Sequence, residues 1–102
     1  MQKQELSMLS LARKAGKLVL GFDKTADGLK DGTVKGLFYS ADLSEKSKKE
    51  LHFIGAKAQI EPLELSVSME EISTVCGKRS GVIALTDEGF AKKIASFSKT
   101  KA

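Results

Sequence analysis

The sequence contains one cysteine, one histidine, one proline and no tryptophan in 102 residues. A single cysteine, Cys76, cannot form an internal disulfide, and Cys76 with His52 alone cannot build a zinc site, so we expect a reducing compartment and no metal. No apolar run approaches the ~18 residues that a membrane-spanning helix needs, and the opening residues lack the layout of a signal peptide. These absences predict a cytoplasmic protein with no membrane partner.

The signatures of common enzymes are missing as well. The stretch from Gly16 to Asp23 is the nearest approach to a phosphate-binding P-loop, but its lysine is in the wrong position, and one glycine at Gly21 does not supply a dinucleotide fingerprint. Cys76 and His52 fall in different predicted helices, where packing or solvent exposure explains them. We therefore expect no catalysis, no cofactor and no small-molecule substrate, with a small enzyme dependent on Cys76 as one alternative.

Charge is what the sequence has in excess. Seventeen basic and thirteen acidic residues give a net charge of +4, which favours a polyanionic partner. Lys46, Lys48 and Lys49 crowd the first turns of a predicted helix, where the helix dipole disfavours cations. This local conflict indicates an anion supplied from outside the chain.

Short apolar runs alternate with amphipathic segments along the whole chain. The runs predict four strands, near residues 18–20, 34–39, 60–65 and 81–86, and the periodic segments predict five helices, near residues 4–15, 22–31, 43–57, 69–76 and 88–97. We expect residues 34–39 to form a central strand, and Pro62 confines its strand to an edge or a strand start. The pattern predicts one α/β domain over residues 1–102, with a small mixed or parallel sheet between helices and a frayed basic tail from about residue 98.

Capping residues mark several helix ends. Ser68 with Glu71 matches a capping box, Gly77 is a stop signal, and Asp87 can cap the last helix. Asp42 with Glu45 predicts a similar start for the third helix. Gly28 indicates close packing of the second helix, and Cys76 is expected to be a small buried hydrophobic residue.

The start of the second helix is the clearest candidate for binding. Gly21 follows the first strand and places backbone at the helix start with no side chain in the way, so amide groups are presented to an anion. Phe22 is the aromatic residue at this face, but its spacing with Ala26 and Leu29 favours the core over a stacking role at the surface.

Four stretches in order, residues 11–21, 31–42, 71–78 and 83–90, resemble the kink-turn-binding ribosomal protein family, the group of the archaeal L7Ae and eukaryotic L30e proteins, and its small bacterial YlxQ branch in particular. The likeness covers nearly the whole chain without a large insertion. It implies a three-layer α/β/α sandwich with a small mixed sheet of about four strands. It also implies a non-catalytic, ribosomal or ribosome-associated protein that binds structured, kink-turn-like RNA.

The resemblance carries the RNA contacts of the family onto three segments of this sequence. They are the start of the second helix, the turn after the central strand and the loop before the fourth helix, with the residues Gly21, Phe22, Asp23, Lys24, Asp27, Ser44, Lys48, Val67, Ser68 and Met69. The nearby cations Lys14, Lys17, Lys24, Lys48 and Lys78 are expected to share one side of the domain and to contact phosphates.

Three positions depart from the pattern of the best-studied family members. Those proteins have Asn-Glu at the positions of Asp23 and Lys24 and a lysine at the position of Asp27. Asp23 accepts hydrogen bonds but cannot donate them as asparagine does, Lys24 reverses a charge, and Asp27 repels phosphate. Two predictions follow: RNA binding led by backbone and shape, or a protein-interaction adaptor on the same fold with weak or no RNA binding.

Overall fold

The computed structural model describes residues 4–97, which form five helices and four strands. In chain order these are α1 (Gln4–Lys14), β1 (Leu18–Leu20), α2 (Phe22–Asp31), β2 (Gly36–Tyr39), α3 (Glu45–Lys57), β3 (Pro62–Glu64), α4 (Met69–Cys76), β4 (Val82–Leu85) and α5 (Glu88–Phe97). Each predicted strand and helix is present, with ends that differ by a few residues. The predicted basic tail from residue 98 lies outside the described residues.

The four strands form one mixed sheet in the order β1-β4-β2-β3. β4 is antiparallel to both β1 and β2, whereas β3 is parallel to β2. β2 therefore lies inside the sheet, as its continuous apolar sequence predicts. β3 is an edge strand that begins at Pro62, a position where the missing backbone N–H costs no ladder hydrogen bond.

Successive side chains of a strand point to opposite faces of the sheet, so a continuous apolar strand has apolar side chains on both faces. Helices cover both of these faces. On one face, α1, α4 and α5 enclose a core that includes Phe38, Ile83 and Leu85. On the other face, α2 and α3 pack over a second core that includes Leu37, Tyr39 and Ala84. The predicted three-layer α/β/α sandwich is confirmed.

Two glycines allow close packing between elements. A Cβ at Gly28 would lie 2.6 Å from Cγ2 of Val34, so α2 approaches the segment before β2 as closely as the sequence predicts. A Cβ at Gly36 would lie 2.7 Å from Cβ of Ala91, which shows why β2 can pass directly beneath α5. Both contacts are too short for any larger residue without movement of the neighbour.

The capping box and the terminal glycine that the sequence predicts for α4 are both present. The Glu71 N–H donates to Ser68 Oγ at 3.1 Å and the Ser68 N–H donates to Glu71 Oε1 at 2.9 Å, which completes the capping box. Gly77 ends α4 in the left-handed conformation, with φ 75°. Cys76 is buried in the core between α1, α4 and α5, as expected.

Within residues 4–97, no helix combines the length and apolar character that crossing a bilayer requires. The same residues contain no group of three side chains suited to hold a metal ion.

Candidate nucleic-acid interface

One edge of the sheet collects the three segments that the sequence singles out. β1, β2 and β3 run in the same direction and β4 runs in the opposite one, so the segments that follow β1, β2 and β3 meet the segment that precedes β4. Backbone hydrogen bonds join them: Gly21 N–H to the Val82 carbonyl at 3.1 Å, Ser40 N–H to the Gly81 carbonyl at 3.0 Å, and Ala41 N–H to the Val67 carbonyl at 2.8 Å. We refer to this region, residues 21–24, 40–44, 65–69 and 79–81, as the loop edge.

The start of α2 is open at the loop edge. Gly21 has φ 100° and ψ 150°, a conformation essentially restricted to glycine, and, its chain neighbours aside, no heavy atom of residues 4–97 lies within 4 Å of the position of a Cβ there. Within the described part of the chain no side chain caps this helix end, and the Gly21 carbonyl accepts from the Thr25 N–H at 3.1 Å. The N–H groups of the first turn are thus available to an acceptor from outside, with the favourable end of the helix dipole behind them.

The side chains of the first turns of α2 divide between solvent and core. Asp23, Lys24 and Asp27 are exposed, so all three can reach a ligand at the helix start. Phe22 is half-buried and packs against the core that contains Leu37 and Leu51, which agrees with the core role that its spacing predicts.

The turn between β2 and α3 corrects one prediction. Asp42 does not cap α3; Ser44 does, because its hydroxyl accepts from the Ser47 N–H at 3.2 Å. Asp42 Oδ1 instead accepts from the N–H of Met69, the first residue of α4, at 3.1 Å. The Asp42 carboxylate therefore ties the turn after β2 to the loop before α4, 27 residues away in sequence.

The pKa of Asp42 lies below its ordinary value. The largest influence is the Ser40 hydroxyl, although that buried hydroxyl has no partner in regular hydrogen-bond geometry among the residues that the structure describes. Partial removal of water opposes the effect, and the Met69 N–H and the positive charge of Arg79 support it. The carboxylate is consequently held in its charged, hydrogen-bond-accepting form at neutral pH.

The loop before α4 contributes backbone and small polar groups rather than apolar side chains. Val67 is fully buried, so its side chain helps to fix the loop and cannot itself contact a ligand. The Ser68 hydroxyl is already used in the capping box, and Met69 is half-buried with its sulfur 3.3 Å from the position of a Cβ on Gly81. A ligand at this loop would therefore contact mainly the backbone atoms of Val67, Ser68 and Met69.

The five lysines do not share one side of the domain, so that prediction is wrong. Lys24 and Lys48 lie near the loop edge, and Lys48 Nζ is 3.4 Å from Glu45 Oε2 and 5.9 Å from the centre of the Tyr39 ring. Lys14 ends α1, and Lys17 precedes β1 at the end opposite Gly21, where its carbonyl accepts from the Thr86 N–H at 2.9 Å. The reason is that the extended strand β1 lies between Lys17 and Gly21, so these two residues are at its opposite ends.

Lys78 occupies a third location. It follows Gly77, whose missing Cβ would lie 3.2 Å from the guanidinium of Arg13, so Lys78 stands beside the last turn of α1. Sequence reasoning missed Arg79, an exposed residue of the loop edge whose Nη1 pairs with Glu70 Oε1. The signal was present, since Lys78 and Arg79 form a basic segment that leads through Gly81 into a buried strand.

Comparisons with known proteins agree with this geometry. Residues 4–95 match the Ribosomal protein L7Ae/L30e/S12e/Gadd45 family. The chain is 32% identical over 92 residues to the RNA-binding protein YlxQ of Enterococcus faecium, covering 90% of this chain and 88% of that protein. It is 33% identical over 85 residues to the large ribosomal subunit protein eL30 of Tetrahymena thermophila, covering 81% and 82% of the two chains.

A solved structure shares the same fold. A protein of unknown function from Bacillus halodurans superposes with a TM-score of 0.84 at 27% identity, covering 94% of this chain and 97% of that one. The order of strands, the two helical layers and the matches over nearly the full chain lead to one assignment. The protein belongs to the Ribosomal protein L7Ae/L30e/S12e/Gadd45 family.

Proposed function

We propose that this protein is a non-catalytic, ribosome-associated RNA-binding protein of the cytoplasm, and that it recognises structured, kink-turn-like RNA at the loop edge. The observation that carries the proposal is the convergence of the uncapped start of α2 with the turn after β2 and the loop before α4. Relatives named as RNA-binding or ribosomal proteins over most of their length support it.

The chemistry of the loop edge fits a folded RNA backbone. Exposed N–H groups and the dipole at the start of α2 suit a phosphate or a base-edge acceptor, and Lys24 and Lys48 add positive charge to this part of the surface. Asp23 can accept from an amino group of a base but cannot donate. We therefore expect shape and backbone contacts to supply most of the affinity, as in other proteins that read the form of RNA rather than its sequence.

The test compares a kink-turn RNA with a linear duplex of equal length by fluorescence anisotropy over a range of salt concentrations. We expect tighter binding to the kink-turn and a log affinity that falls linearly with log salt. Lys24→Glu and Lys48→Glu should each weaken binding, because each reverses a positive charge in or near the loop edge. Lys93→Glu is the matched control, since Lys93 is exposed on α5, a helix on the other face of the sheet.

Two outcomes would refute the proposal. One is an RNA affinity that does not change with salt concentration, and the other is an equal loss of affinity with Lys93→Glu and with Lys24→Glu. Either would mean that binding is non-specific or absent at the loop edge. Thermal unfolding of each variant checks that the substitutions, all at exposed or half-buried positions, leave the fold intact.

A further inference from the structure

A groove runs between α2 and α3 and shares only Phe22 with the proposed RNA contacts. It consists of two adjoining cavities, of about 420 Å³ and 280 Å³, which share Ile54 in their walls. The larger begins at Phe22, close to the loop edge, and the smaller continues toward the C-terminal ends of both helices. We call this the α2–α3 groove, with the apolar floor Phe22, Ala26, Leu29, Ile54 and Ala58.

Phe53 stands at the side of the groove and is 64% exposed. The ammonium of Lys57 lies 4.6 Å from the centre of its ring, and the side chain lines the larger cavity. An apolar side chain this exposed stabilises the fold less than a buried one, because burial is what stabilises it. Beside an apolar groove it has the properties of an anchor for a partner.

The rim of the groove is positively charged. Of the residues that the structure describes, Lys30, Lys49 and Lys57 line it, together with one carboxylate, that of Glu50. Among residues 4–97, none of these three ammonium groups lies within 4.0 Å of a carboxylate. The charges of the rim are therefore free to pair with acidic groups from outside, and a partner would need negative charge on both sides of an apolar stripe.

We propose that the α2–α3 groove binds an amphipathic helix of another protein, with an apolar stripe flanked by aspartate or glutamate. Helices α2 and α3 have 10 and 13 residues, or about 15 to 20 Å at 1.5 Å per residue, which matches a partner helix of three to four turns. Binding there leaves the exposed residues at the start of α2 accessible, so the proposal does not depend on RNA binding.

Two other candidate partners, RNA and a second copy of this chain, fit the groove less well. RNA would place phosphates over an apolar floor that offers no hydrogen-bond donors, and desolvation of those charges is costly. A second copy of this chain, packed groove to groove about a two-fold axis, would bring Lys30, Lys49 and Lys57 against the same cations.

The test uses a displayed library of helical peptides of about 14 residues, four turns, with every position randomised. It is selected on the full protein and counter-selected on Phe53→Glu. We expect enrichment of peptides with an apolar i, i+3, i+4, i+7 stripe flanked by acidic residues.

A synthetic copy of the most enriched peptide should bind the Phe53→Ala variant at least about tenfold more weakly, as for an interface anchor, and the same loss is expected with Lys49→Glu. Leu11→Ala, at an exposed apolar residue of α1 that is 52% accessible, is the matched control and should leave peptide affinity unchanged.

Three results would overturn the proposal. The first is a failure to enrich acidic amphipathic peptides. The second is a loss of kink-turn RNA affinity with Phe53→Ala, which would assign the groove to RNA, and the third is a dimer in sedimentation experiments that Phe53→Glu dissociates, which would assign it to a second copy. Failure of the proposed RNA function is distinguishable, because it leaves peptide selection unaffected.

Discussion

The Asp42 carboxylate accepts a hydrogen bond from the backbone N–H of Met69 at 3.1 Å, and so joins two loops that are far apart in sequence. The N–H of Met69 belongs to the first turn of α4 and has no partner inside that helix. The contact thus adds a second cap to α4 beside Ser68, and it fixes the turn after β2 at the loop edge.

Replacement of Asp42 should affect stability and RNA binding together. Asp42→Ala removes the acceptor and leaves the Met69 N–H without its partner, so we expect a lower midpoint in urea unfolding and weaker binding to a kink-turn RNA. Asp42→Asn keeps an acceptor oxygen and should lie between Asp42→Ala and the original protein. Equal midpoints and affinities for all three proteins would show that the contact is unimportant in solution.

The same carboxylate predicts a pH dependence. The folded pKa of Asp42 is lowered from its ordinary value of 3.8, so the unfolded chain binds the proton more readily. Its contribution to stability is present above the unfolded pKa and is lost as the pH falls through the folded pKa. The difference in unfolding free energy between the original protein and Asp42→Ala should be constant near neutral pH and shrink in acid. A difference independent of pH down to strong acid would contradict this.

Gly21→Ala should destabilise the protein by about 1–3 kcal/mol, the range for a residue forced into a glycine-only conformation. The cause is the φ of 100°, since a Cβ there meets no atom within 4 Å. We also expect weaker RNA binding, because the methyl group would stand where the ligand approaches the helix start. Gly89→Ala is the control, since Gly89 has no positive φ and lies in the first turn of α5, where the one contact of an added Cβ among the described residues is the side-chain oxygen of Asp87 at 3.1 Å. Urea unfolding and RNA titration of both variants measure the two effects.

Lys17→Glu and Lys24→Glu make the same change of charge at opposite ends of β1. If RNA docks at the loop edge, Lys24→Glu should reduce the slope of log affinity against log salt by about 1 and Lys17→Glu should have a clearly smaller effect. A larger loss with Lys17→Glu would place the phosphates at the other end of the sheet. Salt titrations of the two variants with one kink-turn RNA decide between these outcomes.

Cys76 should be unreactive in the folded protein. Its thiol is buried, and burial raises its pKa from 9.0, with Arg13 opposing the shift. Because the thiolate is the reactive form, labelling with a disulfide reagent at pH 8 should be slow in the native state and fast in denaturant. Cys76→Ala should leave RNA binding unchanged and lower stability modestly through a small cavity. Rapid native labelling would revive the alternative of a thiol enzyme.

Much of the fold could be predicted because its signals are local. The capping box of Ser68 and Glu71, the left-handed stop at Gly77 and the apolar run of β2 each act within about four residues, so the sequence contains all the partners they need. Of the candidate binding segments, only the helix start at Gly21 was identified from local features, at a strand-to-helix junction; the other two came from the family resemblance.

The errors arose where the partner is distant. Asp42 with Glu45 has the spacing of a helix start, yet its carboxylate bonds to Met69, because Ser44 already caps α3 and the loop before α4 lies beside the turn. Similarly, the two lysines near the first strand look close to Gly21 in sequence, but an extended strand carries them to the other end of the sheet.

The sequence by itself determined the order and approximate positions of the helices and strands and which of their faces are apolar, because these depend on neighbours along the chain. Only the tertiary structure decided the order β1-β4-β2-β3, the meeting of three loops at one edge, the division of the lysines, and the groove between α2 and α3. These depend on which strands pair and in which direction, and that choice is made by packing between residues far apart in the sequence.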